Sequence, residues 1–139
     1  MAQSDLHNNV EKAVALNVSA ISTDTTTAGN IIDMQGFDSL EFLILSGTLT
    51  DGTYTPLVEH GEESNLRDAA AVADTFLLGT EAGAAFAAAD DNEVHKLGYV
   101  GDKRYVRLSI VSASTSSGGT LGAVAVQGHP SNGPVTTQA

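Results

Sequence analysis

Gly98-Tyr99-Val100-Gly101-Asp102-Lys103-Arg104-Tyr105-Val106-Arg107-Leu108-Ser109-Ile110-Val111 is the stretch whose pattern decides the fold class. Gly101-Asp102 separates two apolar-alternating arms. A two-residue turn needs the positive φ that Gly, Asn and Asp accept, so the stretch predicts a tight β-hairpin. On its second arm Val106, Leu108 and Ile110 point one way, while Lys103, Tyr105, Arg107 and Ser109 point the other, because side chains alternate across a strand. The first set is expected in the core. The second is expected to form a basic, hydrogen-bonding surface, which suits docking more than catalysis.

Outward from this stretch the chain is a series of short strand patterns. Ser39 to Thr50 is the strongest: Leu40, Phe42 and Ile44 mark one face, and Leu43, Leu45 and Leu49 mark the other. A strand apolar on both faces is usually covered on both, here within a sandwich or by a partner chain. Asp51-Gly52 repeats the hairpin signal and leads into Thr53 to Glu59, where Pro56 has no N–H to donate and predicts an edge or a bulge. Val14, Leu16, Val18 and Ala20 alternate with Ala15, Asn17 and Ser19 as a half-buried strand, followed by a Thr-rich loop at Ser22–Asn30. Ile31–Met34 forms a short strand ending at the Gln35-Gly36 turn.

Ala69–Ala89 is alanine-rich but broken by Gly79 and Gly83. It predicts a long loop with at most one helical turn and a short strand near Ala84–Ala88. Asp90-Asp91-Asn92 is a turn, Ser114–Gly119 a flexible loop, and Leu121–Gln127 a last strand with Val124 and Val126 on one face. About eight short strands without a long helix predict an all-β fold, a jelly-roll-like antiparallel β-sandwich. It occupies a single domain at residues 13–130, with flexible arms at 1–12 and 131–139.

Six Lys plus Arg against seventeen Asp plus Glu give 139 residues a formal charge of −11 at pH 7. That balance argues against nucleic acid, whose binding needs a basic footprint to displace counterions, and against anionic membranes. With no Cys there are no disulfides, thiolate metal sites or Cys nucleophiles. The start lacks a cationic region followed by an apolar run, and no segment has transmembrane length, so a cytosolic product is expected.

Motifs for chemistry are sparse, and neither an enzyme nor a cofactor is expected. There is no Gly-x-Ser-x-Gly. His60-Gly61-Glu62-Glu63 suggests a cupin-like metal site with His129, but Glu62 stands where a second His would be needed. Asp90-Asp91-Asn92-Glu93 offers oxygen ligands without the spacing or Gly of a calcium loop. With no Trp, three Tyr and four Phe, a sugar-stacking platform is hard to build. The basic group Lys96, Lys103, Arg104 and Arg107, with Tyr105, is the candidate interface, together with Leu43 and Leu45 on the second apolar face.

Four segments carry a resemblance: Phe37-Asp-Ser-Leu-Glu-Phe-Leu-Ile, Gly47-Thr-Leu-Thr-Asp-Gly-Thr-Tyr-Thr-Pro-Leu-Val-Glu, Gly79-Thr-Glu-Ala and Lys96-Leu-Gly-Tyr-Val-Gly-Asp-Lys-Arg-Tyr-Val-Arg-Leu. They resemble a family of small capsid cement (decoration) proteins of tailed bacteriophages, over about Ile31 to Pro130. The resemblance implies a jelly roll on the capsid exterior of a virion, made in the host cytoplasm. It implies a major capsid protein of the HK97-like fold as partner, and a homodimer or trimer. It transfers no catalytic residue. A head-fibre base or host-surface receptor-binding domain is the alternative expectation.

Overall fold

The computed structural model describes residues 5–136 and 138. Among the described residues ten strands follow one another: β1 (Val10–Ile21), β2 (Thr26–Asp33), β3 (Phe37–Leu49), β4 (Thr53–Gly61), β5 (Ala70–Ala71), β6 (Leu77–Leu78), β7 (Phe86–Ala87), β8 (Val94–Tyr99), β9 (Tyr105–Ala113) and β10 (Gly119–Pro130). They build two antiparallel sheets packed together. Sheet A has the order β1-β10-β3-β8-β6, and sheet B the order β2-β9-β4-β5, with β7 also beside β4. Strands β1 to β4 alternate between the sheets. The second half of the chain folds back along the first, with β10 on β1, β9 on β2, β8 on β3 and β7 on β4. That order and pairing make the sandwich a jelly roll.

Between the sheets, Phe42, Ile44, Leu97, Tyr99 and Leu121 of sheet A meet Tyr54, Val58, Val106, Leu108 and Ile110 of sheet B in one buried cluster. Each large side chain so buried contributes about 1.5–3 kcal/mol. The expected core faces of β3 and β9 are therefore present. Pro56 also lies where its chemistry requires. Val58 directs its N–H away from β9, to Glu81 Oε1 at 2.9 Å, and Pro56 shares that parity. On that side short strands pair with β4 at Thr53–Tyr54 and Glu59–His60, and the Val72 N–H reaches the Val58 carbonyl at 2.9 Å, so Pro56 costs no ladder bond. Within Ala69–Ala89 the one 3-10 turn at Asp74–Phe76 and the strand β7 are as expected, whereas β5 and β6 are two-residue strands inside what was expected to be loop.

Neither expected hairpin forms. β3 and β4 lie in different sheets, and so do β8 and β9. Asp51-Gly52 and Gly101-Asp102 carry the chain across the core, because turn chemistry specifies a reversal and not the strand that is paired afterwards. Gly52 does take positive φ, at 90°. The Asp51 carboxylate accepts the N–H groups of Ser116 at 2.9 Å, Ser117 at 3.0 Å and Gly118 at 2.8 Å. Thr115 gives its N–H and its hydroxyl to Asp24 at 2.8 and 2.7 Å. The loop expected to be flexible is thus tied at both carboxylates.

The start of the chain also departs from expectation. β1 begins at Val10, inside the expected arm, and its pairing with β10 shifts between Val14 and Leu16 and again between Leu16 and Ser19. These bulges place Ala15 and Leu16 together in the core and leave Val14, Val18 and Ala20 outside. β2 begins at Thr26, inside the expected loop, since the Thr-rich segment pairs with β9. Gly29 is required there: a Cβ would overlap the carbonyl oxygens of Leu108 and Ala15, where β1 and β2 pinch together. Leu49, expected on the outer face, is buried, because β3 carries an extra residue opposite Gly119–Leu121.

The described parts of both arms lie on the body. Asp5 accepts the Asn8 N–H at 3.0 Å, Val135 donates to the Asn8 carbonyl at 2.7 Å, and Ser131 donates to that of Gly36 at 2.8 Å. The rest of the expected arms, Met1–Ser4, Thr137 and Ala139, lies outside the described residues.

Backbone hydrogen bonds from Ser116, Ser117 and Gly118 hold the Asp51 carboxyl below its ordinary 3.8. The stability it confers is therefore present above that value and is lost as pH falls through the lower folded value. Asp51→Ala should lower the melting temperature and flatten this acid-side loss. Asp51→Asn keeps one acceptor oxygen and should fall less. Equal melting of Asp51→Ala and the parent protein would contradict the tie.

Candidate protein-docking face

The two sheets divide the candidate interface residues. Lys96 lies on β8 in sheet A, with Leu43 and Leu45 on β3, whereas Tyr105 and Arg107 lie on β9 in sheet B. Lys103 and Arg104 sit in the connection between the sheets, so the expected single basic surface does not assemble. Its arginines are also engaged within the chain. Arg104 forks onto Asp33 at 2.9 and 3.0 Å, reaches Gln35 Oε1 at 2.7 Å and lies 5.0 Å from the Tyr105 ring centroid. Arg107 Nη2 is 2.9 Å from Glu59 Oε1, its direct neighbour across the β4–β9 ladder. Exposed pairs such as Arg104–Asp33 are worth about 0–1 kcal/mol, yet they neutralise the charge that docking would use.

The outer face of sheet A brings Leu43, Leu45 and Lys96 together and adds residues that periodicity assigned elsewhere. One row runs Val14–Val124–Leu43–Lys96, each residue paired with the next. Beside it runs Gly122–Leu45–Val94, with Val18 so close over Gly122 that a Cβ there would strike its side chain. On the other side runs Lys12–Val126–Glu41–Gly98–Leu78. Leu45, Val94 and Val18 are 52%, 59% and 75% exposed. The glycines leave hollows between these side chains. One of about 290 Å³ is bordered by Val18, Leu45, Thr120 and Gly122, and another of about 220 Å³ by Glu41, Leu78, Val100 and Val126.

An apolar field across all five strands of a sheet differs from the singly scattered apolar residues of an ordinary surface, and it is the candidate docking face of this chain. Within it the charged residues are Lys12, Glu41 and Lys96. Burial lifts the Glu41 carboxyl above the usual carboxylate range, and the charge of Lys96 pulls it part of the way back. Val14 and Val18 were missed because the bulges of β1 hide its parity, and Leu78 because β6 is two residues long, whereas Val94 shares the parity of Lys96 along β8. Val124 and Val126 were legible as a shared face.

The motifs considered for metal chemistry serve the fold. His60 Nδ1 is 2.8 Å from the Tyr99 hydroxyl, which also accepts the Lys103 N–H at 3.1 Å. His129 Nδ1 is 2.8 Å from Ser39 Oγ, and Glu62 accepts the Arg104 N–H at 3.0 Å. These three side chains do not form a ligand group. Asp90, Glu93 and His95 do converge, the one such group of three among the described residues. Asp90 accepts the Ala87 N–H at 2.8 Å, and His95 stacks on Phe86 at 3.9 Å between the Ala84 carbonyl and Glu93 Oε1, 3.1 and 3.0 Å from its two ring nitrogens.

The two histidines are pushed in opposite directions. Burial, with Lys103 nearby, moves His60 below its ordinary 6.5. Burial also acts to lower His95, but the Glu93 hydrogen bond, the Ala84 carbonyl and the charges of Glu93 and Asp90 outweigh it and raise the group above 6.5. Site-resolved NMR titration should place His95 above and His60 below that value. The stability from His95 is complete below about pH 6.5 and is lost as pH rises through the folded value, and His95→Gln should remove that slope. Titration midpoints in the reverse order would contradict this assignment.

No family model matches this chain, and neither the curated proteins nor the solved structures provide a match, so the description as a jelly roll rests on its own strand order and pairing.

Proposed function

We propose that this chain is a structural virion protein that binds the outer surface of a tailed-phage capsid and cements neighbouring major capsid proteins of the HK97-like fold, and that it is not an enzyme. The observation that carries the proposal is the outer face of sheet A, an apolar surface running from Val14 on β1 to Leu78 on β6. On a chain of formal charge −11, such a face suits a protein held in an assembly. Three of the segments that resemble the cement family fall on β3, β4, β8 and β9, interior strands of the two sheets, and the fourth, Gly79-Thr-Glu-Ala, falls on the loop after β6; the jelly roll is the fold that the resemblance implies. A shell repeats its surface, so a unit spanning two neighbouring sites gains affinity from simultaneous contacts that are weak one by one.

Incubation with undecorated particles, followed by gradient sedimentation and quantitative mass spectrometry, tests the proposal. The expected result is a copy number approaching that of the capsid protein. A few copies per particle would replace it with a head-fibre base or receptor-binding domain. Failure to co-sediment at all would overturn a place on the shell.

A further inference from the structure

We infer that Asp90, Glu93 and His95 form a binding site for one divalent transition-metal ion of the zinc type, which clamps β7 of sheet B to β8 of sheet A. This goes beyond the decoration proposal and does not depend on it.

The three residues bracket the passage from β7 to β8, where the chain leaves sheet B for sheet A. Glu93 and His95 flank Val94, so both side chains take the side of the strand opposite to the docking face. Asp90 comes from the turn after β7. The backbone between them is fixed from β3. Ser46 Oγ donates to the Asp90 carbonyl at 2.6 Å and accepts the Glu93 N–H at 3.0 Å, while the Asn92 N–H reaches the Gly47 carbonyl at 3.0 Å. The His95 ring is held flat on Phe86, with centroids 3.9 Å apart and 10° between the planes.

His95 has one more oxygen facing it than a neutral ring can satisfy. The Ala84 carbonyl lies 3.1 Å from Nδ1 and Glu93 Oε1 lies 3.0 Å from Nε2. At neutral pH neither oxygen carries a hydrogen, and a neutral imidazole has a single N–H. The backbone carbonyl, which is not part of the cluster, takes that N–H on Nδ1. The Nε2 lone pair is then aimed at a carboxylate, and only a cation between them makes the contact favourable. A proton would need Glu93 alone. Asp90 adds a second carboxylate, with donor atoms of all three residues within 4.8 Å of one another, and two negative donors beside one imidazole suit a divalent ion. The surroundings are those of a ligand set: the ring is oriented by a carbonyl on its other nitrogen, and Asp90 is itself held by the Ala87 N–H at 2.8 Å.

Donor chemistry selects the ion. One imidazole nitrogen with two carboxylate oxygens suits Zn²⁺ and its first-row neighbours, whereas Ca²⁺ and Mg²⁺ take oxygen donors. Zinc bonds nitrogen and oxygen at about 2.0–2.2 Å, so two donors on a tetrahedral zinc stand about 3.3 Å apart. His95 and Glu93 already have nearly that spacing, and rotation of the exposed Glu93 side chain closes the set on Asp90. Three protein donors leave a fourth position for water. The His95 and Glu93 side chains are 22% and 48% exposed, so the ion can enter.

Isothermal titration calorimetry of the chelator-stripped protein with zinc chloride tests this, and histidine-ring NMR locates the ion. No particle enters the measurement, so its outcome is independent of the decoration proposal. The expected result is one site, with His95 Nε2 the first ring nitrogen to shift and a melting temperature higher with zinc than without. Glu93→Gln, at an exposed position, should keep the β-sheet circular dichroism and weaken binding by about tenfold or more, since a lost ligand costs at least as much as a lost outer partner. His95→Gln should abolish it. Absence of heat and ring shifts at millimolar zinc would overturn the site. So would a Glu93→Gln variant that binds as tightly as the parent, or shifts at His7, His60 or His129 with His95 unmoved. Calcium or magnesium binding as strong as zinc binding would overturn the choice of ion.

Discussion

A β-strand offers two faces, and β3 fills both with apolar side chains. Phe42 and Ile44 go inward to meet Leu108 and Ile110 in the shared core, and Leu43 and Leu45 must then go outward. β3 lies at the centre of sheet A, between β10 and β8. Its outward residues are therefore extended sideways by those of its neighbours, Val124 on one flank and Val94 on the other. The core and the docking face are two consequences of the same alternation. A polar residue at position 45 would leave the core intact and interrupt the outer field, which is why the fold and the surface can be tested separately.

Jelly-roll connections cross between sheets, so they depend on ties that a hairpin does not need. Asp51 and Asp24 supply them at one end by accepting backbone N–H groups of the Thr115–Gly118 segment. Ser112 adds to them, accepting the Thr25 N–H at 3.0 Å and donating to the Thr23 carbonyl at 2.6 Å. At the other end Tyr99 joins β8 to the start of β9 through the Lys103 N–H and to β4 through His60. The acidic residues that make the chain strongly negative thus act partly as acceptors for loop backbone.

The alternation of Leu40–Ile44 and Val106–Ile110 was legible in the sequence, and with it the all-β class and the core faces of two central strands. The pairing was not. Asp51-Gly52 and Gly101-Asp102 carry hairpin residues, and only long-range packing decides that the chain crosses the core at both. The parity of β1 was also hidden, because its two bulges turn Val14 and Val18 outward without any Gly or Pro to announce them. The docking face was half legible. Leu43 and Leu45 stood out as a second apolar set, whereas Lys103, Arg104 and Arg107 drew attention by their rarity and proved to be separated from Lys96, with both arginines paired to acids in the chain.

The central claim is that the shell covers the outer face of sheet A and leaves that of sheet B open. Hydroxyl-radical footprinting of the protein, free and bound to undecorated particles, measures this directly. Leu45, Val94 and Val124 should lose reactivity on binding, while Ile31 and Val111, exposed aliphatic residues of sheet B, should keep it. Unchanged reactivity of both sets on the particle, or protection confined to Ile31 and Val111, would contradict the account.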